Sequence, residues 1–414
     1  EICACLVGSE MCIRDRVGTA NTYIGIFIIM FSVISSGMVA VMTQNIGAGR
    51  PGVAYQARQL GLAFNAVLGV IMSLFLSLGA GTILSGVGVA DALMQPAKTY
   101  LQIVGGFCIL NALIPICSSY LRAFGFSKEP LYASIIGNVI NFCLNAFFLF
   151  VLHKGVAGVA TATVISRIIN LVIVVLLGAV LVKAKQHPER ESNRAVMGQI
   201  IRIGLPSACE TAIYNVSMTL VIRFLNQMDA QGLNVTARSY TMQITNFSYC
   251  VGAALAQANA IMTGWHIGAK EYDACDRGTK KAAVIGVIVA VILETVFTLC
   301  SGWIMQLFSK DPQMVSLVGK LLAIDIVLEI GRVTNLVYGQ ALKTSGDAVF
   351  PVVMGACFMI LCSVGGTYLF GIRLGLLAVG AYIGMTGDEC VRAVGMYLRW
   401  KSGKWKEKGL VKSR

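Results

Sequence analysis

Apolar runs of about 20 residues recur along the whole chain and are separated by short polar breaks. Each run is long enough to cross roughly 30 Å of hydrocarbon as an α-helix. The pattern predicts eleven spanning helices at residues 20–43, 56–84, 97–121, 130–152, 158–182, 200–225, 236–262, 280–307, 316–342, 349–371 and 376–398. The ten-residue alternation of a membrane β-barrel is absent. The pattern has one long interruption, from Lys183 to Arg202, where Gln186-His187-Pro188-Glu189-Arg190-Glu191 divides five helices from six. Charge and proline together mark it as a boundary between two lobes.

Composition agrees with this reading. The chain of 414 residues is 56% hydrophobic and 13% charged, with a mean hydropathy of +0.74. A soluble domain would carry about 25% charged residues. The net charge of +13 suggests a nucleic-acid partner only until its distribution is read. Twenty-one lysines and arginines fall in one alternate set of loops and the tail, against Lys98, Lys154, Lys310 and Arg373 in the other set. That asymmetry is the positive-inside bias, which places the basic loops and the C-terminus in the cytoplasm. The 13 cysteines lie largely in apolar helices, as small hydrophobes do, and none has zinc spacing. The three histidines fall in loops or at helix ends.

Eleven spans with a cytoplasmic C-terminus leave the first helix starting outside. The expectation is a twelve-helix protein whose first helix is missing. Residues 1–16, which include Cys-Ile-Arg-Asp-Arg, read as a non-native, adapter-like segment. The remaining organisation is an N-lobe at 17–185 with helices two to six, a cytoplasmic linker at 186–199, a C-lobe at 200–398 with helices seven to twelve, and a basic cytoplasmic tail at 399–414.

The two lobes are copies of one another. Leu121-Arg-Ala-Phe-Gly125 with Pro130 returns as Leu342-Lys-Thr-Ser-Gly346 with Pro351, 221 positions later. Ile46-Gly-Ala-Gly49 falls on Ile267-Gly-Ala-Lys270 at the same offset, and Gly155–Ala162 falls on Gly375–Tyr382 at 220. Parallel repeats related by an axis along the membrane normal suggest two bundles with a substrate site at their interface.

Candidate chemistry concentrates on one helix. Asp325, Glu329 and Arg332 are spaced i, i+4, i+7 and share a face that Asn335, Tyr338 and Gly339 extend. A charge in hydrocarbon costs about 2.5 kcal/mol or more, so this face should look into a wet cavity or onto partners. Glu329 and Arg332 read either as a structural ion pair or as a partly compensated carboxylate that exchanges a proton or a cation. Glu210 is a second buried acid, one turn after Pro206, with Tyr214 and Ser217 on its face. Glu294 sits mid-segment within Val-Ile-Leu-Glu-Thr-Val-Phe, with no charged companion at i±3 or i±4, and carries less weight. Asn138, Asn141 and Asn145 line one face in the first half; Arg238, Gln243, Asn246, Gln257 and Asn259 form a comparable set in the second. Amides of this kind commonly join helices. No metal cluster, nucleophile elbow or histidine near a buried serine or cysteine supports an enzyme.

With these residues in order the chain resembles the multidrug and toxic compound extrusion (MATE) transporters of bacteria. The matching stretches are Gln44–Gly49, Leu121–Gly125, Asn138–Asn145, Gly155–Ala162, Gly204-Leu-Pro206, Glu329–Arg332 with Gly346-Asp347 and Pro351, and Asp388-Glu389-Cys-Val-Arg392 with Arg399-Trp400. The resemblance implies an all-α integral membrane protein of twelve helices in two lobes, here with eleven. It also implies export of small organic cations or drugs by alternating access, in exchange for Na+ or H+ and without a cofactor. By position, Glu210 resembles the family's acid on helix seven and Glu329 or Asp325 that on helix ten, which makes Glu210, Asp325 and Glu329 the candidate Na+ ligands. Another branch places the helix-seven acid where this chain has Tyr214. The aspartate the family keeps on its first helix falls in the helix missing here. The implied setting is a multi-pass monomer in the bacterial plasma (inner) membrane, with the lipid bilayer and not nucleic acid as its surroundings. The alternatives are a flippase for lipid-linked saccharides, which Arg167, Arg223 and Arg238 would suit, and a non-functional transporter fragment.

Overall fold

The computed structural model describes residues 30–86, 91–182, 189–229, 232–306, 308–309 and 311–411. The expectation for residues 1–16 lies outside them. The described residues are helical throughout: α1 at 30–47, α2 Pro51–Leu78, α3 Ala80–Gly86, α4 Asp91–Tyr100, α5 Ile109–Ala123, α6 Lys128–Ala146, α7 Gly155–Leu181, α8 Asn193–Met228, α9 Leu233–Gly268, α10 Tyr272–Leu299, α11 Ser301–Met305, α12 Pro312–Ser345, α13 Val349–Phe358 and α14 Leu377–Lys401. Among the described residues five helices are long and apolar enough to cross a membrane by themselves, and α4 with α5, bent by 41°, makes a sixth. α8, α9, α12 and α14 are diluted by polar side chains that face inward, including Arg238, Asp325, Glu329 and Arg392. Large apolar side chains point outward instead, among them Val67, Leu74, Leu78, Val180, Val284 and Leu299. Such broad exposure of apolar area is lipid-facing surface.

Four stretches wind as π-helix where uninterrupted helices are expected: Leu101–Gly105, Phe147–Val151, Met359–Val364 and Thr367–Arg373. Gly105-Gly106 and Gly365-Gly366 sit at or beside such turns, where the missing side chains weaken the regular α-helical ladder.

The chain divides into two compact units. The first holds the residues up to 42 and Arg50–Gly204; the second holds Thr43–Gly49 and Leu205–Arg414. α8 already begins at Asn193, inside the stretch read as linker, with the amides of Ala195 and Val196 bonded to the Ser192 carbonyl. Phe31, Leu76, Leu84, Tyr100, Leu101 and Val104 form a core in the first unit. The second has one core around Val221, Val318, Leu322 and Tyr382, and another around Val337, Tyr338, Trp400 and Trp405.

The sequence repeat is a repeat of backbone. α2 and α10 are each 28 residues long and begin at Pro51 and Tyr272. α5 and α12 end in the same way: Phe126 N–H donates to Leu121 O at 3.0 Å and Asp347 N–H to Leu342 O at 3.0 Å. Gly125 and Gly346 take φ of +89° and +100° beneath these bonds. That is the Schellman cap, whose left-handed residue favours glycine.

The tail does not hang free. α14 runs to Lys401, and a short 3-10 turn at Lys404–Glu407 folds back so that Trp405 stacks on Trp400 at 4.1 Å and 8°. The buried Gln44 side chain accepts from Leu410 N–H at 2.7 Å and donates to Thr344 O at 2.6 Å.

Candidate functional site

Within the second unit, faces of four helices enclose a cavity of about 270 Å³. α9 contributes Arg238, Met242, Thr245 and Tyr249, spaced so that one turn follows another on a single face. α12 contributes Asp325, Leu328 and Arg332; α14 contributes Tyr382, Met385, Asp388 and Glu389; α8 contributes Tyr214 and Met218. The face expected on α12 is therefore the wall of a cavity.

The charges on that wall form a network between α12 and α14. Arg332 hydrogen-bonds Glu329 on its own helix and lies 3.6 Å from Glu389 on α14. Its guanidinium also sits over the Tyr249 ring at 5.9 Å. Arg392 holds both oxygens of Asp388, at 2.8 and 3.0 Å, and approaches Glu389 at 2.9 Å. Ser363 donates to Asp388 at 3.0 Å and Asn335 to Glu389 at 3.0 Å. The helices can meet this closely because position 331 is glycine: a Cβ there would lie 2.8 Å from the Cys390 backbone nitrogen. Three carboxylates thus share two guanidinium groups, all largely out of water.

Outside that network three charges stand differently. Asp325 is 2% exposed, and its Oδ2 has no hydrogen-bond partner among the described residues. Glu294, on α10, is fully buried beside Ser248 and lies within the electrostatic reach of Asp325 and Glu329. Arg238 is 6% exposed and touches Met218 Sδ at 3.7 Å, with no carboxylate paired to it among the described residues.

The other sequence candidates lie elsewhere. Glu210 does not line the cavity: it forms an ion pair with Lys343 at 2.6 Å, packs against Gly355 of α13 and lies within the electrostatic reach of Arg392. Among the described residues, no three His, Cys, Asp or Glu side chains converge as metal ligands. Asn141 and Asn145 belong to the first unit, where Asn141 donates to Ser166 at 3.3 Å and Asn145 to Asn141 at 3.1 Å, a helix-joining use of amides. Tyr214 does line the cavity, and Asn335 braces Glu389 from behind.

Sequence reasoning passed over Asp388, Glu389 and Arg392 as site residues and gave Glu294 little weight. The first three carried a usable signal, a carboxylate and an arginine one turn apart inside an apolar helix. For Glu294 no charged partner exists along its own helix at one-turn spacing, because the groups that act on its carboxylate come from α9 and α12.

Comparison with known proteins agrees with this architecture. The MatE family model matches residues 17–147 and 206–369. A relative in Bacillus subtilis, the uncharacterized transporter YisQ, is 32% identical over 95% of this chain and 88% of its own. The probable multidrug resistance protein NorM of Thermotoga maritima is 21% identical over 95% and 86%. A MATE crystal structure in the straight conformation superposes with a TM-score of 0.86 at 19% identity, covering 95% of this chain and 88% of that one. The second-unit cavity, walled by helices on which buried carboxylates and arginines interleave, is thus part of a multi-pass membrane transporter, and the chain belongs to the MatE family.

Proposed function

We propose that the protein is a secondary antiporter of the plasma membrane, with its C-terminus cytoplasmic, that exports organic cations in exchange for Na+ or H+. The observation that carries this reading is Asp325: a carboxylate on the cavity wall, almost wholly buried, with an oxygen that has no hydrogen-bond partner among the described residues. An isolated buried carboxylate is costly unless a cation or a proton compensates it. Exchange follows if the two compensating species compete. An organic cation entering the cavity displaces the coupling ion, and the ion returning from outside displaces the organic cation. Glu329, with one oxygen on Arg332 and the other without a partner, and Glu294 behind it add to the negative surplus. The saccharide-flippase alternative needs clustered cations to hold a pyrophosphate. Of its three arginines, Arg223 is exposed on α8, Arg167 belongs to the first unit, and Arg238 alone faces the cavity, among more numerous carboxylates.

The test is efflux of ethidium from proteoliposomes under a sodium or a proton gradient, with wild type beside Asp325→Asn and Glu329→Gln. The expected result is gradient-driven efflux that both variants lose, the effective gradient naming the ion. If wild type moves no ethidium under either gradient, the cation reading falls. If Glu329→Gln pumps normally while Asp325→Asn does not, the Glu329–Arg332 pair is structural and coupling rests on Asp325.

A further inference from the structure

The end of the chain is folded in a way that cation export does not require. α14 turns Val391, Val394 and Leu398 outward, spaced three and four apart on one lipid-facing stripe. Lys401 continues that stripe at the end of the helix. An apolar stripe that ends in an exposed lysine marks the level of the lipid headgroups. The chain does not leave that level. Gly403, with φ of +71°, turns it back, and the 3-10 turn Lys404–Glu407 lays Trp405 on Trp400. The Trp405 indole N–H donates to Trp400 O at 2.9 Å, and that of Trp400 to Asp276 of α10 at 2.9 Å. Trp405 and Leu410 are buried, while Lys401, Lys404, Lys406 and Lys408 are exposed.

The charges sort in the same way. Asp347, just past α12, is held by Arg399 at 2.7 Å and Lys408 at 3.7 Å, and Asp276 by Lys280 at 2.6 Å. Lys401, Lys404 and Lys406 form no ion pair among the described residues. Lys406 rests over the Tyr272 and Trp405 rings at 5.9 and 5.8 Å, within the electrostatic reach of Asp276. The turn itself carries one acid, Glu407. Three ammonium groups within six residues therefore stand unpaired, on backbone fixed by a buried indole.

We propose that this turn is a docking surface for anionic phospholipids, whose headgroup phosphates are held by Lys401, Lys404 and Lys406. Lysine is a mobile point charge without the fixed fork of arginine, which suits a fluid layer of phosphates better than one oriented soluble anion. Each lysine near an anionic membrane surface adds roughly fivefold to binding. The backbone is already ordered, so binding costs only the freedom of the side chains. The same segment places Lys408 on Asp347 and Leu410 N–H on Gln44, which in turn bonds Thr344 O. Lipid bound to the turn therefore also steadies the end of α12.

Native mass spectrometry of the purified full chain in an uncharged detergent counts bound lipid directly. The probes are phosphatidylglycerol and phosphatidylcholine, which share the phosphate and differ in net charge, with inorganic phosphate as the soluble competitor. The expected result is that phosphatidylglycerol binds at least about tenfold more tightly than phosphatidylcholine and is not displaced by inorganic phosphate. The triple variant Lys401→Gln, Lys404→Gln, Lys406→Gln is expected to lose most of that preference, and the matching arginine triple to keep it. Lys128→Gln, Lys270→Gln, Lys281→Gln removes the same charge from other exposed positions and is expected to lose little. Trp405→Ala keeps every lysine but frees the turn, and is expected to weaken phosphatidylglycerol binding severalfold. The lysine variants keep the test decisive should Trp405→Ala fail to fold. Equal losses in the two glutamine triples would reduce the effect to net charge and overturn the surface. No preference in wild type would overturn it as well. Displacement by inorganic phosphate would make the turn a soluble-anion site instead, and undiminished binding in Trp405→Ala would make it an unstructured basic tail.

Discussion

Lys343 Nζ lies 2.6 Å from Glu210 Oε2, tying the last turns of α12 to α8. Both side chains are about 15% exposed, so the pair is screened far less than a surface salt bridge. An acid held by a fixed lysine is poorly placed to exchange a proton or a sodium ion. Glu210→Gln is therefore expected to lower the midpoint of thermal unfolding by about 2–4 °C, the response to roughly 1 kcal/mol. The swap Glu210→Lys with Lys343→Glu is expected to recover ethidium efflux that either single change impairs. A coupling carboxylate cannot be restored by moving its charge to another helix. Efflux lost in the swap despite a normal unfolding midpoint would return Glu210 to the list of coupling acids.

Arg392 carries a larger share of stability. It alone contacts Asp388 through two bonds and also reaches Glu389, and all three side chains are below 10% exposed. Removing one member of a buried ion pair leaves uncompensated charge and costs about 3–5 kcal/mol. Arg392→Met is expected to destabilise the protein by that amount in SDS or thermal unfolding. The double variant Arg392→Met with Asp388→Asn is expected to regain part of the loss. Additive losses would mean that the three groups do not form one network.

The elements and the charged face of α12 could be read from the sequence because both depend on spacing alone. Asp325, Glu329 and Arg332 share a face by helical geometry, whatever packs against it, and the structure brings that face to a cavity. The 221-residue repeat was equally legible, since matching turns such as Leu121–Gly125 and Leu342–Gly346 demand matching residues. What could not be read is which helix stands opposite. Glu389 and Arg392 complete the network from α14, and Lys343 pairs with Glu210; both follow from lateral packing, which spacing along a single helix does not encode. The π turns escaped for a related reason: a wider helical turn keeps the same apolar composition and shifts only the register.

Glu294 tests whether the cluster is built for function at a cost in stability. It is fully buried, and Asp325 and Glu329 lie near enough to repel it. Sites retained for function are commonly destabilising, and neutral replacements there raise stability while lowering activity. Glu294→Gln keeps the shape of the side chain and removes the repulsion. It is expected to raise the unfolding midpoint by about 2–4 °C while slowing gradient-driven efflux. A lower midpoint would mean that Glu294 is an ordinary packing residue whose carboxyl group is satisfied locally.

The two Schellman caps offer an internal control on the packing of the tail. Gly125 and Gly346 are matched in sequence, in capping bonds and nearly in φ, at +89° and +100°. Their surroundings differ. A Cβ on Gly125 meets nothing within 4 Å, whereas one on Gly346 would lie 2.2 Å from the Lys408 carbonyl oxygen. Left-handed backbone costs a residue with a side chain about 1–2 kcal/mol, so Gly125→Ala measures that strain alone. Gly346→Ala adds the displacement of the tail, including the Lys408–Asp347 contact at 3.7 Å and the Leu410 bond to Gln44. Its loss of thermal stability is expected to exceed that of Gly125→Ala, and trypsin is expected to cut at Lys404, Lys406 and Lys408 faster than in wild type. Equal losses in the two variants, with unchanged cleavage, would mean that the tail does not pack on the end of α12.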